Sequence, residues 1–213
     1  MDIEKLTEVK KDCQRTVLGL YKKANAGHIA SSLSCLDILV YLYFARMGPD
    51  NRFILSKGHA AAALYTVLCR SGRIPESQLD TFYQDATLLA AHPPCGSGLC
   101  DVPFGTGSLG HGLSLATGMA LAARFSKQAR RCYCVLSDGD CNEGSTWEAA
   151  LFAAQHRLQN LTAIVDYNRL QGFGKADEVL DLEPFEDKWR SFGFETVTAG
   201  HGNDFVSLHA AFE

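Results

Sequence analysis

"CYCVLSDGDCNEGSTWEAALFAAQHRLQNLTAIVDYN", Cys132 to Asn168, decides the fold. It opens on an apolar run, "CYCV", and nears its end on another, "LTAIV", which fits a strand buried on both faces. Next comes "SDGDCNEGS", which packs Asp138, Asp140 and Glu143 beside an Asn and two glycines. "EGSTWEAALFAAQHRL" predicts a helix and "LTAIVDYN" a second strand. Strand, helix, strand in this order predicts a parallel α/β sheet. The acidic loop then lies at the C-terminal end of a strand, where open α/β sheets bind their ligands.

Which cation suits that loop follows from its spacing. Asp138, Asp140 and Asn142 satisfy the first half of a calcium loop, D-x-D-x-[DN]. Such a loop then needs Gly at its sixth position and Glu at its twelfth. Glu143 and Ala149 stand there instead, and a strand rather than a helix precedes the loop. A single carboxylate at a strand end, a glycine that lets backbone approach a ligand, and a helix N-terminus facing an anion suit Mg²⁺ carrying a phosphate. Asn168 ends the second strand, one β–α–β crossover beyond Asp138. The pair is therefore expected to meet at one cation that carries a diphosphate.

Working outward, residues 3–24 read as an amphipathic helix ending before Gly27. Ser34 and Asp37 in "SCLD" have capping-box spacing, which predicts a helix starting there and running to Gly48. "RFILS" (52–56) is a strand, "HAAAALYTVLCRSG" a helix closed by Gly72, and "PESQLDTFY" a helix with Pro75 in its first turn. Residues 84–106 read as loop. "GSLGHGLSLATGMALAARF" predicts a helix whose small residues allow close packing. Beyond Asn168, "PFEDKWRSFG" predicts a helix, "FETVTAG" a strand and "NDFVSLHAAFE" a helix. A further strand would normally follow that helix, so the expectation is one domain over residues 1–213 cut short at its C-terminal end.

The composition excludes some classes. The chain has 213 residues, net charge −4, 46% hydrophobic and 21% charged residues. That is the profile of a globular domain with a substantial core. No Lys/Arg-rich stripe predicts a nucleic-acid partner. No apolar run reads as long enough to span a membrane, and the charged start is no secretory signal. The expected compartment is the cytoplasm, with the eight cysteines mostly buried free thiols. "CGSGLC", Cys95 to Cys100, is the exception, a candidate small closed loop or metal pair.

The spacing of Asp138, Gly139 and Asn168 resembles the thiamine diphosphate signature, G-D-G followed about thirty residues later by N, with Ser137 replacing the first glycine. Other segments extend the likeness in collinear order. "KANAGHIASSLS", "RFILSKGHAAAALY", "AAHPP", "TGSLGHGLSLATGMALA", "SDGDCNEGSTWEAA" and "VDYNRLQGFG" resemble successive motifs of the N-terminal, diphosphate-binding domain of transketolase, above all its split, two-polypeptide form. The resemblance implies a doubly wound, mostly parallel α/β fold.

It also implies roles. Asp138 and Asn168, with the backbone carbonyl of Leu170, are the expected Mg²⁺ ligands, Ca²⁺ or Mn²⁺ being substitutes. Gly139 and His59 are expected at the diphosphate of thiamine diphosphate. Gly107 and Leu109 are expected to contact the aminopyrimidine through backbone atoms. His28 and His92 would face the substrate and the thiazolium, and Glu143 would lie near the subunit interface, coupled to the cofactor-activating acid of the partner. "HPP" departs from the family pattern after His92. His111 reads equally as core and as contact, and His156, His201 and His209 as surface. Asp140 and Asn142 read as helix caps, and Asp166 as a brace.

The implied activity is transfer of a two-carbon ketol unit from a ketose, either a sugar or a sugar phosphate, to an aldehyde. The glutamate that activates the cofactor belongs to the family's pyrimidine-binding domain, which is absent from residues 1–213. The expected partner is therefore a separate C-terminal subunit in an α2β2 assembly, with the chain inactive alone. The competing readings are a specialised transferase of secondary metabolism, a non-catalytic cofactor-binding scaffold, and a fragment of a deoxyxylulose-phosphate synthase or ketoacid dehydrogenase. "NEGSTWEA" fits transketolase better than the last of these.

Overall fold

Asp2 accepts a hydrogen bond from the Lys5 amide at 3.0 Å and opens helix α1, Ile3–Ala24. The helix buries Leu6, Cys13, Val17, Leu20 and Tyr21 along one stripe and ends at Asn25 in the left-handed conformation. These residues belong to a computed structural model that describes residues 2–99 and 101–213. The stripe packs on α2, Ile29–Tyr41, which runs on through a π-helical turn, Leu42–Arg46.

Two sequence expectations fail at α2. The helix begins at Ile29, ahead of Ser34, because His28 turns the chain in the left-handed conformation (φ 71°) with no side-chain cap. Asp37 therefore lies inside the helix rather than in a capping box. It is buried and paired with Lys10 at 2.5 Å. The continuous helix Ile29–Arg46 is also long and apolar enough, by length and composition, to cross a membrane. More than half of it is buried inside the fold, and core helices pass the same test.

Strand β1, Arg52–Leu55, is followed by α3, Ala61–Arg70, and the short α4, Glu76–Leu79. After a long loop come α5, Gly112–Phe125, and β2, Cys132–Ser137. A single-turn helix α6, Asp138–Cys141, precedes α7, Gly144–Gln155, and β3, Leu161–Asp166. The predicted α5 starts later than its pattern suggests, since Gly107 and Gly110 take positive φ and keep residues 107–110 out of the helix.

The three strands are parallel in the order β1-β2-β3, with Leu55 opposite Val135 and Val135 opposite Ile164. Alternation divides their side chains between two cores. Phe53, Leu55, Tyr133 and Val135 face α1, α2 and α3, while Ile54, Cys132, Cys134 and Leu136 face α5 and α7. Each such aliphatic side chain contributes about 1.5–3 kcal/mol on burial. A charge at Val135, which is fully buried, would break one core from its centre.

The hairpin β4, Leu170–Gln171, with β5, Gly174–Lys175, leads into α8, Ala176–Leu180, and α9, Phe185–Ser191. The strand expected over "FETVTAG" is absent. Residues 194–199 form no ladder, and the Thr198 hydroxyl donates instead to Glu186 of α9. Strand propensity needs a partner and a half-buried surface to act on. The final helix α10, Phe205–Phe212, buries Phe205 and Leu208 against α1 and α2.

Cys13, Cys35, Cys132, Cys134 and Cys141 are buried free thiols, and Cys95 is exposed. Any pairing of Cys95 with Cys100 lies outside the described residues.

Candidate active site

Ser137 ends β2, and its hydroxyl accepts from the Asp140 amide at 3.2 Å. The Asp140 carboxylate returns the contact to the Ser137 amide at 2.8 Å, completing a capping box around α6. Asp140 thus caps, as its sequence position suggests, but it does more. Its Oδ1 also accepts from the Gly110 amide and from the Ser56 hydroxyl just beyond β1. One fully buried carboxylate ties together both strand ends and the glycine loop. Asn142 closes α6 through its backbone amide and does not cap the following helix, whose N-cap is Glu143. The Asn142 side-chain amide accepts from Gln171 at 2.6 Å and donates to the Leu180 carbonyl at 3.1 Å, anchoring β4 and α8.

Inside this frame Asp138 keeps one carboxylate oxygen unpaired. It is 1% exposed, and its Oδ2 has no hydrogen-bond partner. Burial raises its carboxyl above the usual range, against the pull of its own backbone amide; Asp166 raises it further, and the Arg169 amide lowers it. A buried, unpartnered carboxylate is costly unless something binds it. Asn168 lies on the exposed loop beyond β3 and Leu170 opens β4, either side of Arg169, and the Asn168 Oδ1 accepts from the Leu170 amide at 2.9 Å. Carboxylate, side-chain amide and backbone carbonyl are the hard oxygens that a divalent Mg²⁺- or Ca²⁺-type cation prefers. Their chemistry fits that ion.

The neighbouring acid is used differently. Asp166 Oδ2 accepts from the Lys57 ammonium at 2.5 Å and the Ser34 hydroxyl at 2.6 Å. Lys57 also donates to Ser34 at 3.1 Å and is 3% exposed. The Asp166 side chain therefore braces α2 and the end of β1 against the end of β3.

His28, His59 and His92 converge from three separate segments. Ring centroids lie 4.7 Å apart for His28–His59 and His59–His92, and 5.9 Å for His28–His92. Burial holds the His59 ring below the ordinary histidine range, and the other two histidines add to that. Burial and then His28 do the same to His92. Neutral imidazoles so placed can hydrogen-bond hydroxyls and move protons.

Glycines let these segments approach closely. A Cβ on Gly58 would lie 2.6 Å from the Thr106 carbonyl, and one on Gly107 (φ 143°) 2.8 Å from the His92 ring. A Cβ on Gly139 would lie 2.9 Å from the Leu109 side chain, so the residue-107-to-110 loop reaches the Asp138 loop as well as the histidines. Glu143 is exposed at the start of α7, its Cβ against Gly110. His111 is exposed with Nδ1 3.1 Å from the Ser108 carbonyl. The structure thus brings His28, His59 and His92 together, sets Gly107 against His92 and Leu109 against Gly139 beside Asp138, and leaves Asn168, Leu170 and Glu143 on exposed surface. Sequence reading missed Lys57, Ser34 and Ser56. Lys57 stands two positions before His59 in "SKGH", which was the available signal.

The family model for the transketolase thiamine diphosphate-binding domain matches residues 13–213. An apulose-4-phosphate transketolase subunit from Phocaeicola vulgatus is 39% identical over 209 residues, covering 92% of this chain and 73% of its own length. The 6-deoxy-6-sulfo-D-fructose transketolase subunit SqwG of a Clostridium strain is 40% identical over 200 residues, covering 86% and 70%. Among solved structures, Campylobacter jejuni transketolase superposes with a TM-score of 0.90 at 28% identity, and Leishmania mexicana transketolase with 0.87 at 26%. The chain spans 35% and 34% of those two proteins. By the family model and these relatives, the chain belongs to the transketolase family, as a thiamine diphosphate-binding domain.

Proposed function

We propose that this chain is the N-terminal subunit of a two-chain transketolase that moves a two-carbon ketol unit from a ketose to an aldehyde. The observation that carries the reading is Asp138: a buried carboxylate oxygen without a partner, one residue past a central strand, beside the loop that bears Asn168. Asp138, Asn168 and the Leu170 carbonyl would hold Mg²⁺, and the Mg²⁺ the diphosphate. When bound, thiamine diphosphate supplies the carbon nucleophile that carries the two-carbon unit. His59 would donate to the diphosphate. His28 and His92 would hold the ketose hydroxyls and exchange their protons, a task suited to imidazole side chains. Gly107 and Leu109 would seat the pyrimidine through their backbone.

The names of the two curated relatives point to sugar ketoses, phosphorylated or sulfonated, as the substrate class. The exposed Glu143 supports a partner that completes the site, a C-terminal subunit in a cytoplasmic α2β2 enzyme. Mass spectrometry of the intact complex purified from its native source tests this. A co-purifying second chain together with the mass of thiamine diphosphate is the expected result. A lone chain without cofactor would overturn the two-chain reading.

A further inference from the structure

Two acids stand at adjacent strand ends, Asp138 just past β2 and Asp166 at the end of β3, with Ser137 in register with Asp166. Their side chains are held differently. Both carboxylates are buried, but Lys57 and Ser34 hold the Asp166 Oδ2, and the Asp138 Oδ2 has no partner. Lys57 comes from a third element, the turn beyond β1, and is itself 3% exposed. A buried ammonium is expensive to keep, and replacing such a pair by apolar residues is often neutral or stabilising. Fold stability therefore does not by itself account for it.

We propose that Lys57 is a positioning residue that keeps Asp166 out of the cation's coordination sphere and thereby makes cation binding depend on the diphosphate. The inference rests on the metal reading given above. With Lys57 present, the two acids and the ammonium carry a single net negative charge. A divalent cation over-neutralises that charge, and the surplus positive charge calls for an anion. Without Lys57, both carboxylates are free to face the ion, its charge is matched, and the anion loses its electrostatic pull. Coupling of this kind is reciprocal: the cation tightens the diphosphate as much as the diphosphate tightens the cation.

The test is Mn²⁺ titration of the full chain by electron paramagnetic resonance, with and without thiamine diphosphate. The wild-type chain is expected to bind Mn²⁺ weakly alone and at least about tenfold more tightly with thiamine diphosphate, within the usual range of coupling. Lys57→Met is expected to bind Mn²⁺ alone about tenfold more tightly and to lose most of that enhancement. The double variant Lys57→Met/Asp166→Asn, which removes both charges of that pair together, is expected to return to weak Mn²⁺ binding, and it serves if the single variant fails to fold. Lys57→Arg is expected to keep the enhancement. Equal Mn²⁺ affinity and equal enhancement in wild type and Lys57→Met would overturn the proposal. So would a double variant that binds Mn²⁺ alone tightly, because Asp166 would then not be the added ligand. Asp138→Ala separates the two levels. If it abolishes Mn²⁺ binding while Lys57→Met changes nothing, only this inference fails. If it leaves Mn²⁺ binding intact, the metal reading fails with it.

Discussion

The Asp140 carboxylate accepts the Gly110 amide at 2.8 Å, joining the glycine loop to the end of β2. The same side chain accepts from Ser56 and from the amide and hydroxyl of Ser137. Asp140→Ala would strand several buried donors at once, each worth about 1–3 kcal/mol when left unpaired. The expected loss is about 3–4 kcal/mol of unfolding free energy, part of the penalty being relieved by water. Urea denaturation measures it. A loss below about 1 kcal/mol would mean that the network is not holding the loop.

Much of this arrangement was legible in the residues, and the reasons for the exceptions are physical. β1, β2 and β3 announced themselves as short, mostly apolar runs, but the burial expected of "LTAIV" belongs to β2, which lies between two strands, while β3 at the sheet edge is half-buried from Thr162 to Val165. Asp138 and Gly139 followed from their place after such a run. What stayed hidden was long-range or context-bound. Lys57 and Asp166 are 109 positions apart, and no local pattern pairs a lysine with one of two nearby acids. The start of α2 was misread because His28 turns the chain through backbone conformation alone, leaving the more familiar Ser34–Asp37 spacing as a decoy. "FETVTAG" has strand composition but finds no ladder.

Gly107→Ala tests how closely loop and histidines depend on one another. The new methyl would lie 2.8 Å from the His92 ring at a backbone φ of 143° that side chains rarely adopt. His92 is only partly buried and can swing aside, so the fold should survive with a loss of about 1–2 kcal/mol. Activity of the two-chain enzyme should suffer more, by about a hundredfold, since small misplacements of reacting groups have effects of that size. Comparable activity in variant and wild type would show that His92 need not stay where Gly107 puts it.

The histidine cluster should give acid stability a defined sign. His59 and His92 both have lowered values, first through burial and then through neighbouring histidines; Asp140 opposes the shift at His59 and Lys57 adds to it. A histidine with a lowered folded pKa binds fewer protons folded than unfolded, so stability falls as pH falls. The loss begins near the unfolded value, about 6.5, and continues down through the lowered folded values. The double variant His59→Gln/His92→Gln should show a shallower decline over that window. Unfolding midpoints at a series of pH values check this, and parallel profiles for variant and wild type would exclude the two rings as its source.

Asp138→Asn should separate stability from binding. The wild-type carboxylate is buried with an oxygen that bonds nothing, a state that costs free energy whenever no cation is present. An amide of the same shape carries no charge to desolvate, so the cofactor-free chain should gain about 1 kcal/mol. The same change removes the only charged oxygen of the proposed ligand set, and Mg²⁺-dependent binding of thiamine diphosphate should fall below detection by calorimetry. The two readouts move in opposite directions only if the carboxylate is kept for a ligand. A variant less stable without cofactor would instead mark Asp138 as a structural residue, and retained Mg²⁺-dependent binding would move the cation elsewhere.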